Sequence, residues 1–310
     1  MEEYDFLIIG AGGAGLASAM YAARLGLKTL VLGKNSGSEL PIGGVITTTD
    51  NVENYPGFIK LTGTELAENI EKHTRSYDLV TIREELVAKV EHDGLDFKIT
   101  TEGEKYKAKA ILFATGTKWK KLEVPGSTEF ENKGVNYCAL CDGPLFKDKV
   151  VSVIGGSDSA IKDALVLAEH AKKVYIIYRG GKIRAEPINL KRVESRENIE
   201  VINNTNITEI KGDALVKSVM LDKPHNSSSS LDLDGVFVAI GHIVLSDLAK
   251  ELGVNINENG EIITDKMART NVEKVYAAGD VTNNAFKQLI TGVAEGCTAA
   301  YSAYRDIAKI

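Results

Sequence analysis

The residues best suited to chemistry sit together at Cys138-Ala139-Leu140-Cys141-Asp142-Gly143. Two thiols at this spacing can close into a disulfide and open again to a dithiol, and the thiolate is the reactive form. Asp142 adjoins them, and a carboxyl whose pKa is raised by burial can give or take the proton a sulfur needs. A Cys-x-x-Cys pair can also bind zinc, but a structural zinc site takes four ligands. With three cysteines and five scattered histidines, the chain offers no second pair, which favours redox chemistry and no metal. Cys297 stands alone in GVAEGCTAAYSAY, and its small-residue helical setting reads as packing rather than as a reactive thiol.

Gly10-Ala11-Gly12-Gly13-Ala14-Gly15 matches G-x-G-x-x-G at the junction of an apolar strand and a helix. Gly10 makes the turn, Gly12 lets backbone approach a pyrophosphate, and Gly15 allows helix and strand to pack closely. The next strand ends in Leu32-Gly33-Lys34, without the acid that usually holds a ribose in an NAD site. Farther on, Gly279 and Asp280 follow another apolar strand and face the start of the helical run from Lys287. Asp280 can accept a hydrogen bond from a polyol hydroxyl, and the positive helix end can stabilise a reduced flavin. Taken alone the segment also suits an ordinary N-cap aspartate. Together with Gly10 to Gly15 it suggests FAD.

A second turn, Gly155-Gly156-Ser157-Asp158-Ser159-Ala160, carries Ser157 at the middle glycine position, and its following strand ends in Tyr178-Arg179. An arginine there suits a 2′-phosphate, hence NADPH, with Lys182 and Arg184 adding positive charge. A solvated basic loop would have the same composition.

The elements that must hold these residues form one plan used twice. DFLIIGAGGAGLASAMYAARLGLKTLVLG reads as strand, glycine turn, helix and strand, with Leu16, Met20 and Ala23 on one helical face and Gly26 ending the helix. VVSVIGGSDSAIKDALVLAEHAKKVYIIYR repeats it, with Ile161, Ala164, Leu165 and Ala168 at helical spacing. Between them lie alternating strand segments and then TKWKKLEVPG. The first crossing between domains is expected near residue 118, with Pro125 and Gly126 as its mark. After GVFVAIGH the chain is expected to return to the first domain. Ser227 to Ser230 reads as a solvated hairpin tip rather than a binding or phosphorylated loop.

At 310 residues the chain can bury two cores, and 44% hydrophobic with 26% charged residues is ordinary globular composition. A net charge of −6 without a dense basic cluster argues against nucleic-acid binding. The N-terminus MEEYDFLIIG has no basic n-region or cleavage site, and no apolar run is of membrane-spanning length, so the expected location is the cytoplasm.

In order and spacing, GAGGAG, TTTDNVENYPGF, ATG, CALCDG, GGSDSA, YRGGKIRAEP, VFVAIGH and AAGDV with KQL resemble the low-molecular-weight thioredoxin reductase family over nearly the whole chain. The resemblance implies an α/β fold with two Rossmann-like dinucleotide-binding domains of the three-layer ββα type, the second inserted in the first. Residues 1–118 and 243–310 would form the FAD domain. Residues 119–242 would form the NAD(P) domain carrying the dithiol, which in this family rotates to present nicotinamide or dithiol to the flavin. It further implies a homodimer, with Gly43, Gly44, Asn54, Lys287, Gln288 and Leu289 near the flavin ring, Thr115 and Gly116 by the FAD diphosphate, and Asp142 as the acid-base group. Electrons would run from NADPH through FAD and Cys138/Cys141 to thioredoxin or a thioredoxin-like protein.

The chain departs from the family at Ser157, at Tyr178 and Gly180 where His-Arg-Arg is common, at Gly43-Gly44-Val45 in place of GGQ, and in a lengthened GKNSGSELPI loop. A ferredoxin or a reduced deazaflavin therefore stays open as donor. The rivals are a flavin disulfide oxidase or small-disulfide reductase, and a sensor that keeps FAD as a structural ligand, against which the CALCDG segment argues. No N-terminal thioredoxin-like extension precedes the first strand, which favours a separate protein substrate.

Overall fold

The structure, a computed structural model, describes residues 1–34, 40–49 and 52–309. Residues 35–39 of the lengthened loop before Gly43, and Asp50 and Asn51 of the TTTDNVENYPGF segment, lie outside the described residues. The chain divides into two compact units, Met1–Lys118 with Ile243–Ile310, and Trp119–His242.

In the first unit the chain runs β1 (Glu2–Ile9), α1 (Gly13–Arg24), β2 (Thr29–Lys34), α2 (Gly63–Arg75), β3 (Val80–Asp93), β4 (Asp96–Thr101) and β5 (Lys105–Phe113). β6 (Thr117–Trp119) leads out. The second unit holds β7 (Val135–Asn136), α3 (Ala139–Asp142), β8 (Val150–Ile154), α4 (Asp158–Ala168), β9 (Lys173–Tyr178), α5 (Pro187–Glu194) and β10 (Ile199–Asn203). There follow β11 (Ile207–Gly212), β12 (Val216–His225), β13 (Ser228–Asp232) and β14 (Gly235–Val238). The return runs through β15 (His242–Val244), α6 (Asp247–Glu251), β16 (Val275–Ala277) and α7 (Leu289–Ala308).

Each unit is a parallel sheet between a helical and an antiparallel layer. In the first, β3, β2, β1, β5 and β16 pair in parallel in that order. β3 then continues antiparallel to β4, and β4 to β5. Alternation along β1 divides the core accordingly. Phe6 and Ile8 pack with Leu16, Ala19 and Ala22 of α1 and Ala299, Ala300 and Ala303 of α7. Leu7 and Ile9 pack with Val87, Val90, Phe97 and Ile99 of the antiparallel layer. A strand buried on both faces has no polar side to show, which is why these strands read as continuous apolar runs.

The second unit repeats the plan, with parallel order β10-β9-β8-β14-β7 and an antiparallel sheet β11-β12-β13. Val153, Ile176 and Phe237 face Ala160, Ile161, Ala164 and Leu167 of α4. Ile154, Ile177 and Val236 face Ile210, Val219 and Leu221.

Local expectations mostly meet their positions. Gly26, at φ +82°, follows the end of α1, and Ile161, Ala164 and Ala168 are buried while Leu165 packs against the same core. Two differ. Pro125 and Gly126 lie within the second unit rather than at a crossing: Ile210 N–H donates to Pro125 O at 2.9 Å, so the turn is pinned to β11. The hairpin tip is Asn226-Ser227, both at positive φ, and Ser228 to Ser230 already belong to exposed β13. A two-residue turn with both φ positive matches strand twist, so the strands can pair right up to it.

One half-buried carboxyl has no partner among the described residues. Asp163 of α4 makes no hydrogen bond or ion pair among the described residues, and burial pushes its carboxyl up to about 7. Folded Asp163 therefore binds its proton more tightly than the unfolded chain does. Its stabilising contribution is complete below the unfolded value near ~4 and is lost as pH rises to about 7. Asp163→Asn should raise Tm at pH 8 and leave it unchanged at pH 4, measured by thermal melts across that range.

Candidate active site

In the first unit the glycine turn after β1 is built from backbone contacts. Gly10, at φ +113°, donates to Leu32 O at 2.8 Å, and a Cβ on it would lie 2.2 Å from Ala114 O. A Cβ on Gly15 would lie 2.0 Å from Gly10 O. Gly12 differs, since its Cβ would meet only Gly43 O at 3.8 Å. It caps α1 without a side-chain bond, and the first turn of α1 has no acid. The N-terminal N–H groups of α1 are thus open to an anion.

α7 starts beside it. A Cβ on Gly13 would lie 2.3 Å from Leu289 Cδ1, and one on Gly279 3.1 Å from Ala14 Cβ. α7 also has no acid in its first turn. Two helix N-termini therefore meet at the carboxyl ends of the parallel strands, where ligands bind in such sheets.

The other first-unit residues converge there. Gly43 N–H donates to Ala11 O at 2.8 Å, and Gly44 lies against Gly12. Asn54 Nδ2 donates to Gln288 Oε1 at 3.0 Å across 234 positions. Thr115 Oγ1 donates to Leu245 O at 2.6 Å, and Gly116, at φ +61°, has open space where a side chain would be. Lys287 Nζ donates to Asp280 O at 3.0 Å and to Thr282 O at 2.6 Å, and pairs with Glu261 at 2.8 Å.

Glu295 is a residue that motif reading missed. From α7 it accepts the Gly279 N–H at 2.7 Å, and it also accepts from Asn284 Nδ2. It thus fixes the loop carrying Asp280. Its only signal in the sequence is an acid inside a small-residue helix face. An uncapped α1, bare glycine backbone at Gly12 and open space at Gly116 fit an FAD diphosphate.

In the second unit Cys138 and Cys141 form a disulfide with Cα atoms 5.3 Å apart. Cys138 caps α3, and its Sγ accepts the Cys141 N–H at 3.1 Å. Cys138 is buried and Cys141 exposed. Asp142 follows directly, and burial raises its pKa above the usual carboxyl range. Cys297 lies on α7, half-buried, its thiol pushed up to about 11 by burial, so it is a thiol and not a thiolate at neutral pH.

The second glycine turn is more crowded than the first. Gly155, at φ +147°, would place a Cβ 2.2 Å from Ala239 O. The Tyr178 ring lies against the backbone at both Gly156 and Gly180, where a Cβ would come within 2.5 Å and 2.6 Å of it. Gly156 O accepts the Arg184 N–H at 2.6 Å. Ser157 caps α4 without a side-chain bond. Asp158 accepts from Glu186 N–H and Asn189 Nδ2 and pairs with Lys162 at 2.7 Å; burial opposes ionisation, but these partners outweigh it and lower its pKa. Ser159, Arg179, Lys182 and Arg184 are exposed.

Gly10 and Gly12 should separate folding from binding. Gly10→Ala should lower Tm sharply, because both φ and the Ala114 carbonyl oppose a methyl. Gly12→Ala should keep its Tm without ligand but retain less flavin, read from the ratio of visible to protein absorbance.

A model of the Pyridine nucleotide-disulphide oxidoreductase family matches residues 4–296. The chain is 35% identical to thioredoxin reductase of Bacillus subtilis (strain 168) over 310 residues, covering 99% of this chain and 96% of the other. Among solved structures, Lactococcus lactis thioredoxin reductase in its FR conformation is similar with a TM-score of 0.92 and 36% identity, covering 99% and 100% of the two chains. T. acidophilum thioredoxin reductase follows with a TM-score of 0.91 and 38% identity, covering 99% of each. With the family model matching residues 4–296 and full-length similarity to these reductases, beside an FAD-fitting glycine turn and a Cys138–Cys141 disulfide of its own, the chain belongs to the pyridine nucleotide-disulphide oxidoreductases and is an FAD-dependent oxidoreductase.

Proposed function

We propose that this chain is a thioredoxin-disulfide reductase in which electrons pass from NADPH through FAD and Cys138/Cys141 to the disulfide of thioredoxin or a thioredoxin-like protein. The observation that carries this reading is the Cys138–Cys141 disulfide directly beside Asp142, whose carboxyl is raised by burial. Similarity over full length to proteins named thioredoxin reductase supports the substrate class. Residues 1–118 with 243–310 would hold FAD, and residues 119–242 NADPH, in a cytoplasmic homodimer whose dithiol a reducing compartment keeps usable.

The bound flavin supplies the two-electron step between nicotinamide and disulfide. Gly12, Gly13, Ala14, Thr115 and Gly116 would hold its diphosphate side, and Asp280, positioned by Glu295 through Gly279, its polyol. Gly43, Gly44, Asn54, Lys287, Gln288 and Leu289 would border the ring. Gly155, Gly156, Ser157, Asp158 and Ser159, with Arg179 and Arg184, would take NADPH. Asp142 keeps its proton to higher pH than an ordinary carboxyl, and so can hand it to a sulfur leaving the opening disulfide. A Cys thiolate then attacks the substrate disulfide through a mixed disulfide.

A second reading is favoured by the Tyr178 ring. It lies over the glycine loop that a pyridine nucleotide must touch, and against the backbone at Gly180. A ferredoxin or reduced deazaflavin would need no such loop.

The test is anaerobic addition of NADPH or NADH to the yellow protein. Fast bleaching of the flavin band by NADPH, reversed by oxidised thioredoxin, is the expected result. No bleaching by either, with bleaching by dithionite and reoxidation by thioredoxin, would move the donor to the second reading. Asp142→Asn should slow thioredoxin reduction by about 100-fold to 10,000-fold with flavin content unchanged, measured by steady-state turnover.

A further inference from the structure

Asn136 and Cys138 lie on one side of the same extended segment. Asn136 ends β7, and Cys138 continues it with φ −127° and ψ 100°. Alternate side chains of extended backbone share a face. Val135 and Tyr137 pack toward the antiparallel layer, so Asn136 and Cys138 take the helical side. The register agrees: Asn136 is level with Phe237 and Phe237 with Val153, and both of those pack with Ala160, Ala164 and Leu167 of α4.

On that apolar face Asn136 is 7% exposed, and its Nδ2 has no acceptor among the described residues. A buried donor without a partner is costly, and an aliphatic side chain would avoid the cost. The neighbouring sulfur changes character during the redox cycle. In the disulfide, Cys138 Sγ is uncharged and a weak acceptor, touched by the Cys141 N–H. As a thiolate it would be a strong one.

We propose that Asn136 donates a hydrogen bond from Nδ2 to Cys138 Sγ once the disulfide opens, holding that sulfur as the thiolate of the reduced pair. Two electrons, from reduced flavin in the enzyme, break the S–S bond. One proton goes to Cys141, giving a Cys141 thiol and a Cys138 thiolate. The donor left unpaired by oxidation is satisfied by reduction, so it favours the dithiol form. The titratable groups on the helices packed there are Asp142 of α3 and Asp158, Lys162 and Asp163 of α4, with His170 just beyond. Asp158 and Lys162 pair with each other. Ionised Asp142 and Asp163 would oppose a thiolate, which leaves the neutral amide to favour it.

The inference rests on the disulfide being the working redox group, but its test needs neither thioredoxin nor a nicotinamide, so the two can fail separately. In the flavin-loaded Cys141→Ser protein, iodoacetamide alkylation of Cys138 is followed from pH 5 to 10 and located by peptide mass. Adding Asn136→Leu, which keeps the volume without the donor, should raise the alkylation midpoint by about one pH unit, so that alkylation below the midpoint slows roughly tenfold. Adding Asn136→Ser, with a shorter donor, should raise it less and serves if the leucine variant does not fold. An unchanged midpoint in the variants that fold would overturn the proposal even if Tm fell, because a merely structural asparagine changes stability without moving the thiol.

Discussion

Main-chain contact between helices and strand ends governs the first unit. A Cβ on Gly15 would stand 2.0 Å from Gly10 O, and one on Gly296 would stand 2.1 Å from Ala14 O. At these positions α1 presses on the turn after β1 and α7 presses on α1, backbone against backbone. Any side chain there would push the helices apart. Because α1 and α7 are drawn together, their N-termini meet at one place, beside the ends of β1, β5 and β16; that of α1 has no side-chain cap, while at α7 Thr291 Oγ1 accepts the Gln288 N–H at 3.1 Å. The positive field of that site comes from helix ends rather than from a cluster of basic residues.

The polar groups around it serve the same geometry. Glu295 reaches from α7 to the Gly279 N–H, and Lys287 bridges Asp280 O and Glu261. Glu295 ties the loop after β16 to α7, and Lys287, within that loop, ties it to itself and to the segment carrying Glu261, so the loop carrying Asp280 is held from both sides. Asn54 and Gln288 add a bond between the segment after Gly43 and the start of α7.

The second unit uses the same three layers for a different load. Its glycine turn is crossed by Tyr178, and an acid, Asp158, occupies the first turn of α4, where α1 has none. Its helical face carries groups that an apolar core would normally exclude: Asp142, Asp163 and the Asn136 amide. They lie on α3, α4 and β7 in turn. Of the three only the Asn136 amide is a buried group without a partner among the described residues, and such groups tend to mark places where a second state supplies the partner.

Much of this was legible in the residues. Apolar runs joined by glycine turns give two βαβ units because strand and helix periodicity are local properties, read over a dozen positions. The Cys138/Cys141 spacing alone permits a disulfide, and one forms. Other features depended on where distant segments meet. The Asn54 to Gln288 bond spans 234 positions, and Glu295 looks like any helix acid until β16 places Gly279 against it. Pro125 and Gly126 carry the composition of a linker, yet β11 captures them inside a domain. Sequence by itself determined the elements, the layers and the chemistry of the dithiol, since short-range steric and hydrophobic patterns encode them. Which helix ends converge, which glycine turn Tyr178 covers and which face of β7 is buried against α4 were decided only by tertiary packing, because those contacts join residues that no local pattern relates.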